Sequence, residues 1–333
     1  MKGVKGPYAL ISYNSKDKKI WFGRDPLGRK KTEKESRVAV LFSGGLDCTT
    51  LALLAHSHIP PSESIDLLNV AFENTQSISN NHQTQRIQKD SEKSSADNHD
   101  SDTTFDVPDH QTGERSWREL SKLTPGRDWR FVRVDVRMAE YLEHKEKIIK
   151  LMRPNLTVMD LSIAAALYFA ARGIGNSHLN EQVGSLVAFI LTSLSPPMIY
   201  RTPARVLISG LGADELLGGY SQHQPAFLTT SLSSNNWERL LDELAMDLER
   251  ISTWNLGRDD RMMSWFGLEV RHPLLNRRVI DLLSGLPGLG DNLLLRGLAH
   301  GLRLVESCRL PKRAIQFGAQ SAKLDGNSKG QAG

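Results

Sequence analysis

Residues 43–48 (SGGLDC) combine a hydroxyl, two glycines and an acid in a pattern that suits a phosphate chain. Glycines let backbone N–H groups approach a polyphosphate without an intervening Cβ, and a following helix points its positive end at the anion. An acid is poorly placed to face phosphate directly, but it can hold a Mg²⁺ ion that bridges the two. The alternative is a tight Gly-Gly turn before a helix. We predict a phosphate-binding loop formed by Ser43, Gly44, Gly45, Asp47 and Cys48.

A second glycine-rich run occupies residues 209–220 (SGLGADELLGGY) and again follows an apolar stretch, VLIS at 206–209. Open α/β sheets bind their ligands at the carboxyl ends of the strands, where these glycines are expected. We predict that Asp214 is a second metal ligand, opposite Asp47. For Glu215 two interpretations stay open, a functional acid and an ordinary acid at a helix N-terminus.

Charged residues further along the chain form three more groups. Lys312, in the run LPKR, is interpreted as a point charge that reaches the polyphosphate; the alternative is an exposed basic pair. Glu269 and Arg271 are candidates to line a polar substrate pocket. In the run NLGRDDR, dense charge beside apolar residues predicts buried ion pairs that brace the fold. The bracing residues are expected to be Arg258, Asp259 and Arg261.

Apolar runs place both glycine-rich segments at the ends of strands. Residues 38–42 (VAVLF) and 67–72 (LLNVAF) have the composition of strands buried on both faces of a parallel sheet. The helical stretch 46–58 between them completes a right-handed crossover unit. Residues 131–136 (FVRVDV) alternate and predict another strand. The predicted fold class is therefore α/β. Further helices are expected at 160–172, 237–251 and 294–307.

The chain divides into segments of different character. Residues 7–13 and 18–23 predict a short hairpin within an N-terminal segment, 1–30, and a basic linker follows at 31–36. A later run rich in Ser, Asn, Gln and His cannot bury enough apolar surface to offset its ordering entropy. We expect a main domain at 37–323, a disordered insertion within it at 74–112 and a disordered tail at 324–333. The stretch 177–205 stays undetermined between a poorly ordered loop and a buried helix.

Composition narrows the class of protein. The chain has 333 residues, of which 39% are hydrophobic, and its net charge of +4 is mixed along the sequence, which favours a solvated surface over a nucleic-acid interface. The two cysteines, Cys48 and Cys308, have no metal-ligand spacing and fit a reducing compartment. The longest apolar run, 186–194, is too short to span a bilayer. We expect a cytoplasmic protein without nucleic-acid or membrane partners.

In this order the motifs resemble the C-terminal synthetase domain of asparagine synthetases, over roughly residues 37–323. The run RDDR…GLEVRHPLLN and the ending LPKRAIQFG strengthen the resemblance. It implies a parallel-sheet ATP-pyrophosphatase domain, of the adenine nucleotide alpha hydrolase type, with a helical C-terminal part. The implied reaction is adenylation of aspartate by MgATP, with release of pyrophosphate, followed by attack of ammonia to give asparagine.

The resemblance also assigns roles by position. It places the first glycine-rich loop at the pyrophosphate and AMP, Asp47 and Asp214 on Mg²⁺, and Lys312 on the phosphates. Gly210 and Gly212 are placed near the acyl-adenylate. The two acids and the lysine are the expected catalytic residues. The implied cofactors are ATP and Mg²⁺, and the implied partners are small substrates, namely aspartate, ATP and ammonia.

Several positions depart from the family pattern. Cys48 stands where the family usually has a second serine, and Asn276 replaces a common acid. Leu211 stands where full synthetases commonly have a glutamate, and leucine cannot accept a proton from an attacking amine. Residues 6–30 resemble a late hairpin of the class II glutaminase domain, whose N-terminal cysteine nucleophile is missing here. Two hypotheses follow: an ammonia-dependent amide ligase without glutaminase activity, and a non-catalytic nucleotide-binding relative that acts as an interaction module.

Overall fold

The structure, a computed structural model, describes residues 9–14, 19–24, 36–73, 105–178, 199–223, 234–286 and 291–324. The chain forms two compact units, residues 1–35 and 36–333. In the first unit, strands β1 (Ala9–Asn14) and β2 (Lys19–Arg24) pair antiparallel, which confirms the predicted hairpin. Its origin as a remnant of a glutaminase domain stays a prediction.

The second unit is built on a seven-stranded sheet. Its strands are β3 (Val38–Leu41), β4 (Ile65–Phe72), β5 (Trp129–Val136), β6 (Ile174–His178), β7 (Ile199–Arg201), β8 (Val206–Ile208) and β9 (Glu269–Arg271). They lie in the order β7-β6-β5-β4-β3-β8-β9. The five strands from β5 to β9 in this order are parallel, whereas β6 pairs antiparallel with both β5 and β7. The predicted α/β class with a parallel sheet is confirmed.

Helices cover and connect these strands. They are α1 (Leu46–His58), α2 (Pro108–Leu123), α3 (Met138–Met152), α4 (Val158–Arg172), α5 (Ala213–Leu217), α6 (Ser234–Ile251), α7 (Gly257–Ser264), α8 (Arg277–Ser284), α9 (Leu293–Gly301) and α10 (Ile315–Gly318). A π-helix, Ser252–Leu256, joins α6 to α7. Since α5 to α10 all follow β8, the C-terminal part is mainly helical. Within the described ranges, no helix has the length and apolar character needed to cross a membrane.

Strand β4 is buried along its whole length because its side chains alternate between two cores. Leu68, Val70 and Phe72 pack into one cluster of apolar residues, whereas Ile65 and Leu67 pack into the other. Burial on both faces is typical of a parallel sheet covered by helices. The centre of the sheet is therefore a fixed platform for the loops at its carboxyl end.

The disordered insertion predicted at 74–112 does not extend to residue 112. Residues 105–107 are described and α2 begins at Pro108, so the prediction is wrong from residue 105 onwards. This polar stretch folds because its polar groups find buried partners; for example, Asn69 Nδ2 donates to the carbonyl of Asp109 at 2.9 Å. The rest of the predicted insertion lies outside the described residues.

Predictions in the C-terminal half agree with the described structure, or can be compared with it, only in part. The helix predicted at 294–307 is cut short, because Arg303 adopts a left-handed φ of 68° and turns the chain after α9. The undetermined stretch 177–205 contains the end of β6 and all of β7, while 179–198 lies outside the described residues. The predicted disordered tail also lies outside them, apart from its first residue.

The charged run in α7 braces the helical part of the domain, as predicted. Arg258 is buried, and its guanidinium lies 2.5 Å from a carboxylate oxygen of Asp160 and 2.8 Å from one of Asp259. Arg261 donates to the backbone carbonyls at the C-terminal end of α3, including that of Leu151 at 2.7 Å. These contacts fix α7 against α3 and α4, so these charges serve the fold and not the candidate chemistry.

Candidate nucleotide-binding site

Helix α2 holds the first glycine-rich loop in place. Gly44 has a left-handed φ of 79°, and a Cβ at this position would lie 2.4 Å from backbone atoms of Thr112 and Gly113. The Thr112 hydroxyl donates to the carbonyl of Ser43 at 3.0 Å, and the Ser116 hydroxyl donates to the carbonyl of Gly44 at 2.6 Å. These contacts require glycine at position 44 and fix the path of the loop into α1.

The side chains of the first glycine-rich loop form hydrogen bonds with other groups of the same loop. The Gly45 N–H donates to Ser43 Oγ at 3.3 Å, and Cys48 Sγ lies 3.7 Å from the same hydroxyl oxygen. Cys48 Sγ also donates to the carbonyl of Gly45 at 3.4 Å. Burial raises the pKa of the Cys48 thiol against the opposing effect of the Ser43 hydrogen bond, so the thiol is neutral at pH 7. These residues gather at the carboxyl end of β3, where the sequence predicted them.

Three charged side chains meet between the two glycine-rich loops and form a carboxylate–lysine cluster of Asp47, Asp214 and Lys312. Lys312 Nζ lies 2.5 Å from Asp47 Oδ2 and 2.7 Å from Asp214 Oδ2. Partial burial opposes the charge on Lys312, but the two carboxylates outweigh it and raise the pKa of the lysine. Burial also raises the pKa of Asp47, and the Lys312 ammonium counteracts this effect. The structure thus brings together the three residues predicted to be catalytic.

Glycines pack against the two aspartates of this cluster, at positions where a larger residue would collide with them. A Cβ at Gly210 would lie 3.2 Å from Asp47 Cβ, and a Cβ at Gly219 would lie 2.0 Å from Asp214 Oδ1. Gly212 has a left-handed φ of 101°, and a Cβ there would meet a leucine side chain at 2.5 Å. Gly210 and Gly219 therefore permit the approach of the two loops, whereas Gly212 serves the turn that begins α5.

The cluster has oxygen atoms suited to a magnesium ion. Asp47 Oδ1 is buried and has no hydrogen-bond partner among the described residues, an arrangement that is costly unless another group meets the oxygen. In the described ranges, no group of three or more His, Cys, Asp or Glu side chains could hold a metal ion. Mg²⁺ is usually bound by one or two carboxylates together with substrate phosphates and waters. Asp47 and Asp214 therefore fit a cation that arrives with a nucleotide.

The beginning of α9 supports the cluster, and sequence reasoning missed it. Asn292 Nδ2 donates to Asp214 Oδ1 at 3.1 Å. Arg296 Nη1 donates to the carbonyls of Cys308 at 2.7 Å and Leu310 at 3.0 Å, and so fixes the segment just before the lysine. The only local signal is an asparagine before an apolar helical run, which also marks an ordinary helix start.

Helix α2 contacts the C-terminal segment as well as the glycine-rich loop. The buried carboxylate of Glu119 accepts from the backbone N–H groups of Glu306 at 2.8 Å and Ser307 at 3.0 Å, and from the Ser307 hydroxyl at 2.5 Å. The Ser307 and Ser116 hydroxyl oxygens are 3.2 Å apart. One helix therefore holds both the first glycine-rich loop and the chain that leads to Lys312.

The sequence left the role of Glu215 open, and the structure gives this residue a structural role. Its buried carboxylate accepts from the Gly212 N–H at 3.2 Å, from the Tyr220 hydroxyl at 2.6 Å and from Asn255 Nδ2 at 3.2 Å. The bond to Gly212 closes the first turn of α5, as expected of an acid at a helix N-terminus. The other two bonds tie this turn to the following loop and to the π-helix.

Three residues singled out near β9 have partners of their own. Glu269 and Arg271 form an ion pair with each other, and their side chains are 61% and 62% exposed. An exposed pair of this kind does not line an enclosed pocket, so the interpretation of a polar pocket at these two residues finds no support. Asn276 Oδ1 accepts from the Arg278 N–H at 3.0 Å and caps α8, a task that asparagine performs as well as an acid.

Asp109, in the first turn of α2, is a buried acid in the stretch that the sequence predicted to be disordered. Its carboxylate lies against Gly318, where a Cβ would be 1.8 Å from Asp109 Oδ1. Burial raises the pKa of Asp109 from 3.8 to about 7, although the charge of Arg313 opposes the shift. The folded state therefore binds this proton more tightly than the unfolded state, and stability falls as pH rises from about 4 to about 7.

Asp109→Asn is expected to flatten this pH dependence, because an amide stays neutral at every pH. From pH 5 to pH 8 the unfolding free energy of the wild type should fall by about 2–3 kcal/mol, whereas that of the variant should not show this fall. Urea unfolding at the two pH values measures the difference. Asp106→Asn, at an exposed acid nearby, should keep the wild-type pH profile. The same profile in Asp109→Asn would contradict the assignment.

The chain is similar to curated proteins along most of its length. It is 38% identical over 318 residues to asparagine synthetase domain-containing protein 1 of Mus musculus, and 38% identical over 322 residues to that of Homo sapiens; each match covers 89% of this chain and 47% of the relative. A putative asparagine synthetase (glutamine-hydrolyzing) 1 of Methanocaldococcus jannaschii is 35% identical over 83 residues, 25% of this chain and 14% of that protein. The chain spans about half the length of the mouse and human relatives.

A family model also matches the helical part of the domain. The asparagine synthase model matches residues 229–290, a range that contains the RDDR…GLEVRHPLLN motif. Its domain has the PP-loop ATP-pyrophosphatase fold, in agreement with the mostly parallel sheet and the glycine-rich loop after β3. Members of the family generally use ATP and other small-molecule substrates. The family match and the long similarity to these relatives agree in identifying an asparagine synthase-type domain in this chain.

Proposed function

We propose that this domain binds MgATP and uses it to adenylate aspartate, as the first step of an amide-ligase reaction. The observation that carries the proposal is the contact of Lys312 with both Asp47 and Asp214. A positive charge and two candidate cation ligands lie together after β3 and β8, which are neighbours in the sheet. Open α/β sheets bind nucleotides at such carboxyl ends of strands.

The proposed step joins the side-chain carboxylate of aspartate to the α-phosphorus of ATP. A carboxylate oxygen attacks phosphorus, the bond to the bridging oxygen breaks, and pyrophosphate leaves with the electron pair. Lys312 neutralises the charge that builds on the leaving group. Ser43 and the backbone of Gly44 and Gly45 hold the phosphates in line. When bound, Mg²⁺ supplies further charge neutralisation at the phosphate oxygens.

Pyrophosphate release from aspartate, MgATP and ammonium tests this function. The purified chain is expected to release pyrophosphate only when aspartate is present. Asp47→Asn and Asp214→Asn each remove an anionic ligand from a hard cation and are expected to weaken MgATP binding in isothermal titration, in a Mg²⁺-dependent way. Full-strength MgATP binding by the double variant would show that the metal ligands are assigned wrongly.

The second step of the proposed reaction depends on position 211. The ammonia nitrogen bonds to the acyl carbon, AMP leaves, and a proton must be taken from the nitrogen. Leu211 is half-buried in the turn between β8 and α5, where its N–H donates to the Ser209 hydroxyl at 3.3 Å. Its apolar side chain cannot accept that proton. This residue favours the second candidate function, a nucleotide-binding relative that does not complete asparagine synthesis and acts as an interaction module.

Leu211→Glu is expected to raise asparagine formation at least about tenfold, because a carboxylate supplies the missing base. Asparagine is measured by mass spectrometry after incubation with aspartate, MgATP and ammonium. Leu211→Gln is the matched control, since glutamine has a similar size and polarity but cannot act as a base; it should stay at the low wild-type rate. Robust synthesis by the wild type, or equal rates in the two variants, would contradict the role given to Leu211.

Free ammonia is the nitrogen source in this proposal, without glutaminase activity from this chain. Cys48 and Cys308 are both buried and free, so neither offers the accessible thiolate that glutamine hydrolysis requires. Two unpaired thiols also support a cytoplasmic location for the chain. The substrates proposed are thus aspartate, ATP and ammonia, with Mg²⁺ and ATP as cofactors.

A further inference from the structure

Asn292 lies directly before α9, and its side-chain amide is buried. The nitrogen of this amide makes a hydrogen bond, whereas its oxygen makes none among the described residues. The residue is 1% exposed and has a left-handed φ of 54°. Its Nδ2 donates to Asp214 Oδ1 at 3.1 Å. Because an ionised carboxylate only accepts hydrogen bonds, the amide nitrogen has to face it and the amide oxygen points away. That oxygen is buried and has no hydrogen-bond partner among the described residues.

The surrounding backbone fixes this amide. The Asn292 N–H donates to the carbonyl of Leu217 at 3.1 Å, and the Asp291 N–H donates to that of Gly218 at 3.0 Å. A Cβ at Gly219 would lie 2.4 Å from Asn292 Nδ2, so the chain packs closely on the amide. The oxygen cannot turn towards another protein donor without breaking the bond to the carboxylate. A fixed, buried acceptor beside a candidate cation ligand calls for a donor that the described residues do not supply.

We propose that Asn292 is a positioning residue for the divalent cation that accompanies the nucleotide. Its amide N–H orients the Asp214 carboxylate, and its amide oxygen accepts a hydrogen bond from a water of the cation's hydration shell. Mg²⁺ keeps several waters in protein sites. Partners that orient metal ligands typically contribute about 10–100-fold to metal affinity. The inference rests on the proposed function, because the cation binds together with the nucleotide.

Binding of Mn²⁺ to the whole chain, measured by electron paramagnetic resonance in the presence of α,β-methylene ATP, tests the inference. Asn292→Gly removes the amide and suits the left-handed backbone; we expect Mn²⁺ to bind about 10–100-fold more weakly. Asp291→Gly is the matched control, because Asp291 is adjacent and has a similar φ of 55°. Its side chain is 62% exposed and pairs only loosely with Arg296 at 3.6 Å, so affinity should stay within about twofold of wild type.

The outcomes separate this inference from the proposed function. Wild-type Mn²⁺ affinity in Asn292→Gly would overturn the inference and leave nucleotide binding intact. Equal losses in both glycine variants would also overturn it, because they would assign the effect to the backbone. Failure of the wild-type chain to bind Mn²⁺ with the analogue would overturn both proposals. If Asn292→Gly does not fold, Asn292→Ser, which is too short to reach Asp214, carries the same expectation.

Discussion

Substitution of Gly44 by alanine is expected to destabilise the domain by about 3 kcal/mol or more and to abolish nucleotide binding. The φ of 79° at this position costs an ordinary L residue about 1–2 kcal/mol. In addition, the new Cβ would lie 2.4 Å from backbone atoms of Thr112 and Gly113. Backbone atoms within α2 cannot rotate aside as the end of a side chain can. Either the helix or the glycine-rich loop must therefore move.

Urea unfolding followed by circular dichroism measures this loss of stability. Gly45→Ala is the matched control, because Gly45 has a φ of −68° and its Cβ would meet only Ser43 Oγ, at 3.4 Å. We expect the control to stay within about 1 kcal/mol of the wild type. If the two variants had similar stability, the loop would have to be free to move away from α2, contrary to the contacts of Thr112 and Ser116.

Lys312→Met is expected to have the largest effect on the proposed chemistry. Methionine is similar in length but uncharged, so the carboxylates of Asp47 and Asp214 would face each other without a counter-charge. Removal of one partner from a buried ion pair costs about 3–5 kcal/mol, and less here because the lysine side chain is 27% exposed. Pyrophosphate release should fall at least about 100-fold, because the charge on the leaving group is no longer neutralised.

The response of this variant to pH and Mg²⁺ distinguishes a charge effect from a packing effect. Burial raises the pKa of Asp47, and without the Lys312 charge nothing in the cluster opposes this rise, so stability should be lost as pH rises above the unfolded-state pKa of Asp47. Mg²⁺ should raise the Tm of Lys312→Met more than that of the wild type. Lys323→Met is the control, because the Lys323 ammonium bonds to Gln320 at 3.5 Å and lies outside the carboxylate–lysine cluster. Wild-type stability at pH 8 without a response to Mg²⁺ would contradict the charge balance.

The meeting of Asp47 and Asp214 could be predicted from the sequence. Each follows a glycine-rich turn at the end of an apolar strand, and such turns gather at one edge of a parallel sheet. Helix α1 has the predicted bounds because a Gly-Gly turn precedes it and Pro60 follows it. Lys312 had only a weak local signal, and its place came from the family resemblance. The chemical roles of these residues remain proposals.

The residues that support the cluster could not be predicted, because their partners are remote in the sequence. Asn292 bonds to Asp214 across 78 residues, and Ser116 bonds to Gly44 across 72 residues. Local composition shows which residues are polar but not which distant carbonyl or carboxylate they will meet. For the same reason the start of α2 was predicted to be disordered, although its polar groups are buried against the loop.

Because helix α2 joins segments that lie far apart in the sequence, we expect the candidate site to assemble late in folding. It joins Gly44 to Ser116, and it joins Glu119 to Ser307 across 188 residues. Contacts between such distant residues form slowly, because long loops have to close first. A nucleotide analogue would then bind only to chains in which the C-terminal segment has docked on this helix. The appearance of binding during refolding would report completion of the native topology, and fragments that end before residue 306 would have no affinity.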